Sequence, residues 1–213
     1  MDATKLLHGV RIVPVVVVDD PSIAIPLAEA LYEADLGTIE ITLRTPSALD
    51  VIENIAVKLP EVVVGAGSVR AANQLTQIKN AGARFAVSPG SGQQLLDAVA
   101  KHEIPFVPGA VTASEIINLQ ERGYTLTKFF PAELAGGTKL LKALGAPLPE
   151  ARFFPTGGIT PELAMDYLAL PSVTCIGGSW LTPADLLAAG DFRAITRIAR
   201  ETATLAGYQE FRE

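Results

Sequence analysis

Short apolar runs and amphipathic stretches alternate along the whole of this chain. Eight runs rich in β-branched and aromatic residues are typical of buried strands, and they cover residues 10–18, 38–44, 62–66, 84–88, 105–107, 125–130, 151–155 and 173–176. Between these runs, apolar residues recur at helical spacing, most clearly over residues 23–34, 48–59, 71–81 and 114–122. Strands that alternate with helices in this way predict βα units and a parallel sheet.

Eight βα units predict an α/β fold consisting of a single (β/α)8 TIM barrel, which we expect to span residues 1–213 as one domain. The alternative is a doubly wound open sheet, but the glycine-rich dinucleotide fingerprint of that fold does not follow the first strand. Four predicted helix starts carry a capping residue before a first-turn proline, at Asp20-Pro21, Thr45-Pro46, Thr160-Pro161 and Thr182-Pro183.

Composition and charge exclude several classes of protein. The formal net charge of −6 argues against nucleic acid as a partner, and no apolar run is long enough to cross a membrane. Cys175 is the sole cysteine, so no disulfide can form within the chain and we expect a cytoplasmic location. The two histidines, His8 and His102, have no partner at metal-ligand spacing, so we expect no metal site.

Two of the predicted strands are each interrupted by a charged residue. Lys128 lies in the sixth strand between a threonine and two phenylalanines, and Glu40 lies in the second strand between isoleucines. Alternate residues of a barrel strand face the interior, so Glu40, Thr42 and Arg44 should share the inner side of the second strand. Lys128 should face inward from the sixth. Both charged groups then point toward the barrel interior. Barrel enzymes have their active sites at the carboxyl ends of the strands that surround this interior.

An amine and a carboxylate in such positions suit Schiff-base chemistry. Burial lowers the pKa of an amine and makes it a nucleophile, and a nearby carboxylate can move protons. Each residue also has a structural interpretation. Lys128 could extend its ammonium to solvent, and Glu40 could form a buried ion pair with Lys128 or Arg44. Arg44 could grip a substrate carboxylate through two hydrogen bonds or form a salt bridge at the strand end.

Glycine pairs end the seventh and eighth predicted strands, and the loops after these strands are the usual phosphate site of the barrel. A hydroxyl in the third loop, that of Ser68, could donate to a bound carboxylate. Alternatively, the glycines and the serine are needed only to form turns. Because glycine pairs occur in both of these loops, we predict a phosphate site built from Gly157, Gly158, Gly177, Gly178 and Ser179.

Six strings of residues, in this order and spacing, resemble the 2-keto-3-deoxy-6-phosphogluconate (KDPG) aldolases, class I enzymes of the Entner–Doudoroff pathway. The strings are EITLRTP, VGAGSV, SPG, KFFPAE, FFPTGGI and CIGGSWL, and the likeness runs from about residue 10 to about residue 190. It implies that Lys128 forms the Schiff base and that Glu40 transfers protons. It also implies that Arg44 and Ser68 hold the substrate carboxylate. The residues implied to pack against the substrate are Phe130, Pro89 and Thr156.

The resemblance implies a carbon–carbon lyase whose substrate is a small phosphorylated keto acid. It would cleave KDPG to pyruvate and glyceraldehyde 3-phosphate, and also 4-hydroxy-2-oxoglutarate (KHG) to pyruvate and glyoxylate. No metal or organic cofactor is implied, and the expected assembly is a homotrimer. The family usually has threonine where Ser68 stands. The competing hypotheses are a metal-dependent aldolase, which the scarcity of histidine opposes, and a non-catalytic phospho-sugar sensor, which would not need Lys128 and Glu40.

Overall fold

Eight short parallel strands form the centre of the molecule. The structure is a computed structural model that describes residues 3–207. The strands alternate with helices in the order expected from the sequence. They are β1 Ile12–Val16, β2 Thr38–Thr42, β3 Val63–Gly67, β4 Phe85–Val87, β5 Phe106–Val107, β6 Leu126–Phe129, β7 Arg152–Pro155 and β8 Ile176–Gly178.

Helices pack around the strands. Pro21–Ile23 forms a short 3-10 helix after β1, and the described residues contain ten α-helices. These are α1 Ala24–Tyr32, α2 Ala48–Lys58, α3 Ala72–Asn80, α4 Gln93–His102, α5 Ala113–Glu121, α6 Ala132–Ala135, α7 Gly137–Gly145, α8 Pro161–Leu168, α9 Ala184–Ala189 and α10 Phe192–Leu205. None of the helices between residues 3 and 207 has both the length and the apolar character that a membrane span requires.

The strands belong to a curled parallel sheet and a smaller parallel pair. Six strands are hydrogen-bonded in the order β5-β4-β3-β2-β1-β8, and β6 pairs with β7. Isolated bridges join the two groups on both sides. Gly109 bridges Lys128 between the β5 and β6 segments, and Thr156 bridges Gly177 between the β7 and β8 segments. The predicted (β/α)8 architecture is thus seen here as an α/β fold with eight parallel strands in two hydrogen-bonded sheets.

The alternation of side chains along each strand separates two cores. In β2, Ile39 and Ile41 belong to the cluster that packs between strands and helices, as the sequence pattern predicts. On other strands, residues of the opposite face contribute to a second cluster of buried residues. It contains Ala3, Leu7, Val13, Phe85, Val87, Val107, Leu126, Phe154 and Cys175. Val13, Phe85 and Leu126 of this cluster lie in the first halves of β1, β4 and β6, and Cys175 directly precedes β8.

The start of the last strand and several of the predicted helix caps differ from the sequence prediction. The last strand begins at Ile176, three residues later than predicted, although Val173 makes a bridge with Phe153. Thr45 caps no helix, because its hydroxyl donates to the carbonyl of Val18 and α2 begins only at Ala48. Among the four predicted capping residues, Asp20 accepts a hydrogen bond from a backbone N–H in the next turn. Thr160 is the N-cap of α8 but makes no side-chain capping hydrogen bond, and the N-cap of α9 is Pro183 and not Thr182. A competing tertiary hydrogen bond explains the outcome at Thr45.

Candidate active site

A cavity of about 530 Å³ opens at the carboxyl ends of the strands. Its walls come from the ends of β1, β2, β3, β4, β6 and β7 or the residues just after them. Barrel-type α/β folds place their active sites at this end, because the loops there are free to vary. The residues that line the cavity are Val15, Thr42, Leu43, Arg44, Ser68, Arg70, Pro89, Lys128, Phe130 and Thr156.

Lys128 and Glu40 meet at the floor of this cavity. Lys128 Nζ lies 3.0 Å from Glu40 Oε1, and the two side chains are 6% and 0% exposed. The ammonium therefore does not extend to solvent. The backbone of Lys128 is held to the segment after β5, since its N–H donates to the carbonyl of Pro108 and its carbonyl accepts from the N–H of Ala110. This contact is compatible with Glu40 as a structural ion-pair partner and also with Glu40 as a proton-transfer group.

Gly67, which the sequence prediction treated only as part of a turn, makes room for Glu40. It is the last residue of β3, and a Cβ atom there would overlap the carboxylate of Glu40. Any larger residue would displace this carboxylate from its contact with Lys128. The string GAG on the strand that neighbours Glu40 was the available signal, because glycine inside a strand often marks a close approach.

Two buried oxygen atoms in the site have no hydrogen-bond partner among the described residues: Glu40 Oε2 and Thr156 Oγ1. Thr156 follows β7 and lines the cavity, and Gly177 on β8 packs so closely that a Cβ atom there would overlap its hydroxyl. Buried polar atoms are nearly always satisfied in folded proteins, and the exceptions cluster at functional sites. One acceptor and one hydroxyl are therefore free to interact with a bound molecule.

Aromatic rings and a thiol surround the ion pair. Lys128 Nζ lies 5.7 Å from the ring centre of Phe130 and 5.9 Å from that of Phe154. Phe154 is buried beneath the amine, whereas Phe130 is 38% exposed at the cavity wall. Burial raises the pKa of the Cys175 thiol, and the negative charge of Glu40 raises it further. Cys175 is therefore a protonated, inert member of the core below the carboxylate.

The cavity rim is cationic. Every charged residue in its lining is a lysine or an arginine. Arg44 follows β2, is exposed, and forms no ion pair with the residues that the structure describes. The salt bridge that was the structural alternative for Arg44 is therefore not formed within residues 3–207. Ser68 has a φ of 58°, a left-handed conformation that is uncommon for residues other than glycine, and it faces the same cavity. Sequence reasoning missed Arg70, which lies only two residues beyond Ser68.

The glycines of the predicted phosphate site lie beside this cavity but outside its lining. Gly157 and Gly158 follow β7 with φ values of 102° and 79°. Gly177 and Gly178 are buried within β8, and the exposed Ser179 follows them. All five residues therefore occur at the carboxyl ends of β7 and β8, as predicted. Gly177 also has a packing role, against Thr156.

The geometry of the site is compatible with lysine-dependent chemistry on an anionic carbonyl compound. A buried amine in contact with a carboxylate can form an imine and move protons, and the cationic rim attracts anions. The residues described here contain no cluster of three or more histidine, cysteine, aspartate or glutamate side chains that could hold a metal ion.

Comparison with known proteins identifies the family. The family model described as KDPG and KHG aldolase matches residues 3–198. The chain is 50% identical over 199 residues to the KHG/KDPG aldolase of Escherichia coli, covering 93% of both chains. It is 48% identical over 190 residues to the 2-dehydro-3-deoxy-phosphogluconate aldolase of Pseudoalteromonas atlantica, covering 89% of this chain and 88% of the other.

A solved structure shows the same fold. The KDPG aldolase of Legionella pneumophila, with pyruvate captured at low pH as a covalent carbinolamine intermediate, superposes with a TM-score of 0.92 at 38% identity. The match covers 95% of this chain and 98% of that one. The chain therefore belongs to the KDPG and KHG aldolase family, as its sequence strings predicted.

Proposed function

We propose that this protein is a class I aldolase that cleaves KDPG to pyruvate and glyceraldehyde 3-phosphate through a Schiff base on Lys128. The observation that carries the proposal is the buried contact of 3.0 Å between Lys128 Nζ and Glu40 Oε1 at the floor of a cationic cavity. The printed names of relatives that are 48% and 50% identical support the same reaction. Release of pyruvate from KDPG, followed with lactate dehydrogenase and NADH, tests it directly.

The first half of the reaction builds the imine. Glu40 takes a proton from the Lys128 ammonium, and the free amine attacks the C2 ketone of the substrate to form a carbinolamine. Glu40 then returns a proton to the C2 hydroxyl, which leaves as water, so that an iminium ion forms. The buried position of Glu40 suits this shuttle, because Oε1 contacts the amine while Oε2 has no partner among the described residues.

The second half of the reaction breaks the C3–C4 bond. Glu40 removes the proton of the C4 hydroxyl, and C4 becomes the aldehyde carbon of glyceraldehyde 3-phosphate. The electron pair of the broken bond moves to the iminium nitrogen and leaves an enamine on Lys128. A proton then adds at C3, and water hydrolyses the resulting iminium to release pyruvate and the amine. All of these steps use side chains of the chain itself.

The other walls of the cavity would orient the substrate. Arg44 and Ser68 would bind the carboxylate next to the reacting ketone, because they supply charged and hydroxyl donors on adjacent strand ends. The ring of Phe130 would pack against the methyl group that becomes that of pyruvate, with Pro89 and Thr156 completing the wall. The buried Thr156 hydroxyl, which has no partner among the described residues, is also free to bond the substrate.

Removal of the rim arginines should separate a direct carboxylate contact from a general charge effect. Arg44→Ala should raise KM for both KDPG and KHG about 10- to 100-fold, the value of a hydrogen-bonded charge pair. Arg70→Ala should raise both KM values only about two- to fivefold, as expected for one exposed charge. The matched control is Arg84→Ala, an exposed arginine before β4 and outside the cavity lining. An effect of Arg84→Ala equal to that of Arg44→Ala would contradict the assignment.

We also propose that the loops after β7 and β8 bind the substrate phosphate. Gly157, Gly158, Gly177 and Gly178 lie at the strand ends where this fold binds phosphate through backbone N–H groups, and Ser179 adds an exposed hydroxyl. No lysine or arginine is assigned to this anion. Backbone donors and the Ser179 hydroxyl would therefore carry the recognition.

A negative charge at Ser179 should weaken the binding of the substrate phosphate and so test this site. Ser179→Asp should raise KM for KDPG about 10- to 100-fold, because two like charges brought together cost several kcal/mol. KM for KHG should change much less, since KHG has no phosphate. Ser179→Asn, which is neutral and of the same size as aspartate, is the control. Steady-state kinetics on both substrates give the measurement, and equal increases on KDPG and KHG for Ser179→Asp would argue against the site.

Further proposals concern secondary activity and assembly. KHG cleavage to pyruvate and glyoxylate is a second activity, favoured by the 50% identity to a relative named KHG/KDPG aldolase. The bridges on both sides of the β6–β7 pair support closure of the eight strands into one (β/α)8 barrel. We propose that this barrel is a single domain over residues 1–213, a range that includes some residues outside the described ones. On the basis of the family resemblance and the single, free Cys175, we propose a cytoplasmic homotrimer. Sedimentation equilibrium tests the assembly.

A further inference from the structure

The buried Tyr167 and the half-buried Glu133 form a pair that the proposed reaction does not use. Tyr167 lies on α8 and is 0% exposed, and its hydroxyl donates a hydrogen bond to Glu133 Oε1 on α6. Burial raises the pKa of Tyr167, and the hydrogen bond to Glu133 and its negative charge raise it further. The phenol therefore keeps its proton and acts as the donor to Glu133.

Glu133 is connected directly to the loop after β7. Its backbone N–H donates to the carbonyl of Gly157 at 3.1 Å, and the N–H of the preceding Ala132 donates to the carbonyl of Thr156 at 2.8 Å. A Cβ atom on Gly158 would lie 2.9 Å from Glu133 Cβ. The loop therefore rests on α6 through two hydrogen bonds and one close contact at a glycine.

The pair is also tightly enclosed on its other side. A Cβ atom on Gly137, the first residue of α7, would lie 3.1 Å from Glu133 Oε1 and 3.4 Å from the Tyr167 hydroxyl. The side chains thus have little freedom to rearrange while the hydrogen bond is intact. Tyr167 thus contacts the carboxylate of Glu133, and the backbone N–H of Glu133 contacts the loop that carries Gly157 and Gly158.

We propose that Tyr167 and Glu133 are positioning residues that hold the loop after β7 in the conformation that binds the substrate phosphate. This inference rests on the proposed phosphate site. The hydrogen bond also holds the carboxylate of Glu133 in one position. Without this bond, the negative charge of Glu133 would move freely beside the loop that binds the substrate phosphate. Loss of the hydrogen bond should therefore weaken phosphate binding both by loosening the loop and by releasing a negative charge next to it.

Three variants test the pair. Tyr167→Phe removes the hydrogen bond, Glu133→Gln keeps an acceptor for the Tyr167 hydroxyl while removing the charge, and Tyr124→Phe is the control. Tyr124 is a buried tyrosine that packs edge-on against Phe106, away from the residues that line the cavity. For each variant, KM and kcat are measured with KDPG and KHG. Amide hydrogen exchange over residues 156–159 is measured on the same preparations, without substrate.

Tyr167→Phe should accelerate exchange over residues 156–159 and raise KM for KDPG about tenfold, as expected for loss of one hydrogen bond to a charged group. KM for KHG and both kcat values should stay within about twofold of the wild-type values. Glu133→Gln and Tyr124→Phe should resemble the wild type in exchange over residues 156–159 and in the ratio of the two KM values.

The outcomes separate the two proposals. Unchanged exchange in Tyr167→Phe would overturn the positioning role, as would equal increases in KM for both substrates. Faster exchange with an unchanged KM for KDPG would show that the loop does not bind phosphate, and the inference would fall together with that part of the proposed function. Absence of pyruvate release by the wild type would refute the aldolase function itself, whereas the exchange data would still decide whether the pair holds the loop.

Discussion

Pyruvate and sodium borohydride together should add a reduced pyruvyl group to Lys128 and irreversibly inactivate the enzyme. The reason is that the amine of Lys128 is buried beside a carboxylate at the floor of the cavity, so that it forms an imine which borohydride reduces. Intact mass and peptide mapping give the measurement. Lys139 and Lys142, which are exposed on α7, serve as internal controls. Labelling of either in preference to Lys128 would refute the assignment.

Lys128→Arg should abolish this labelling and lower kcat on the order of 10⁴- to 10⁶-fold, the range found when a catalytic group of a covalent mechanism is removed. Arginine keeps the positive charge that pairs with Glu40, but it is not a nucleophile. The fold should therefore survive, which a thermal unfolding curve checks. Residual activity within about tenfold of the wild type would mean that another group forms the covalent bond or that none is needed.

Glu40→Gln should lower kcat for KDPG about 10²- to 10⁴-fold, the usual contribution of a positioned proton-transfer group. The amide has nearly the same shape as the carboxylate, so it fits the space above Gly67, but it cannot take a proton from Lys128 or from the C4 hydroxyl. Labelling of Lys128 by pyruvate and borohydride should continue at a reduced rate. Transient kinetics with KDPG should then show slow carbon–carbon cleavage after the imine has formed.

The control for this prediction is Glu29→Gln, which neutralises an exposed glutamate on α1 and should leave kcat unchanged. A Glu40→Gln variant with wild-type kcat but a lower free energy of unfolding would mean that Glu40 is only the structural partner of Lys128. Loss of one member of a buried ion pair costs about 3–5 kcal/mol of stability, so such a result is easily measured. The two functions of the pair are thus separable by experiment.

Much of the fold was predictable because successive side chains of a strand point to opposite faces, which is a period of two residues. The period places Ile39 and Ile41 against the helices and leaves Glu40 facing the interior, and the structure confirms this separation. The same rule places Lys128 in the interior from a different strand. Burial of a charge at an inward position costs free energy unless the charge has a partner. The sequence therefore predicts that the two inward charges, which have opposite signs, contact each other. Their contact is the part of the site that sequence reasoning anticipated best.

Other features depended on contacts between distant parts of the chain. Thr45 has a good capping sequence, but its hydroxyl donates to the carbonyl of Val18 and the helix starts later. Arg70 carries no signal in its local sequence that distinguishes it from other exposed arginines, and its place in the cavity follows from the curl of the sheet. The Tyr167–Glu133 hydrogen bond joins residues 34 positions apart. It forms because the fold brings α6 and α8 next to each other.

The sequence by itself determined the alternation of strands and helices, the inward direction of Lys128 and Glu40, and the family, because these depend on residue periodicity and on strings of adjacent residues. The tertiary structure alone decided that Gly67 makes room for the Glu40 carboxylate, that Glu40 Oε2 and Thr156 Oγ1 lack partners among the described residues, and that Arg70 joins the rim. The physical reason is that strand pairing and curvature set which side chains meet across the interior. Distances between such side chains are fixed by packing and not by spacing along the chain.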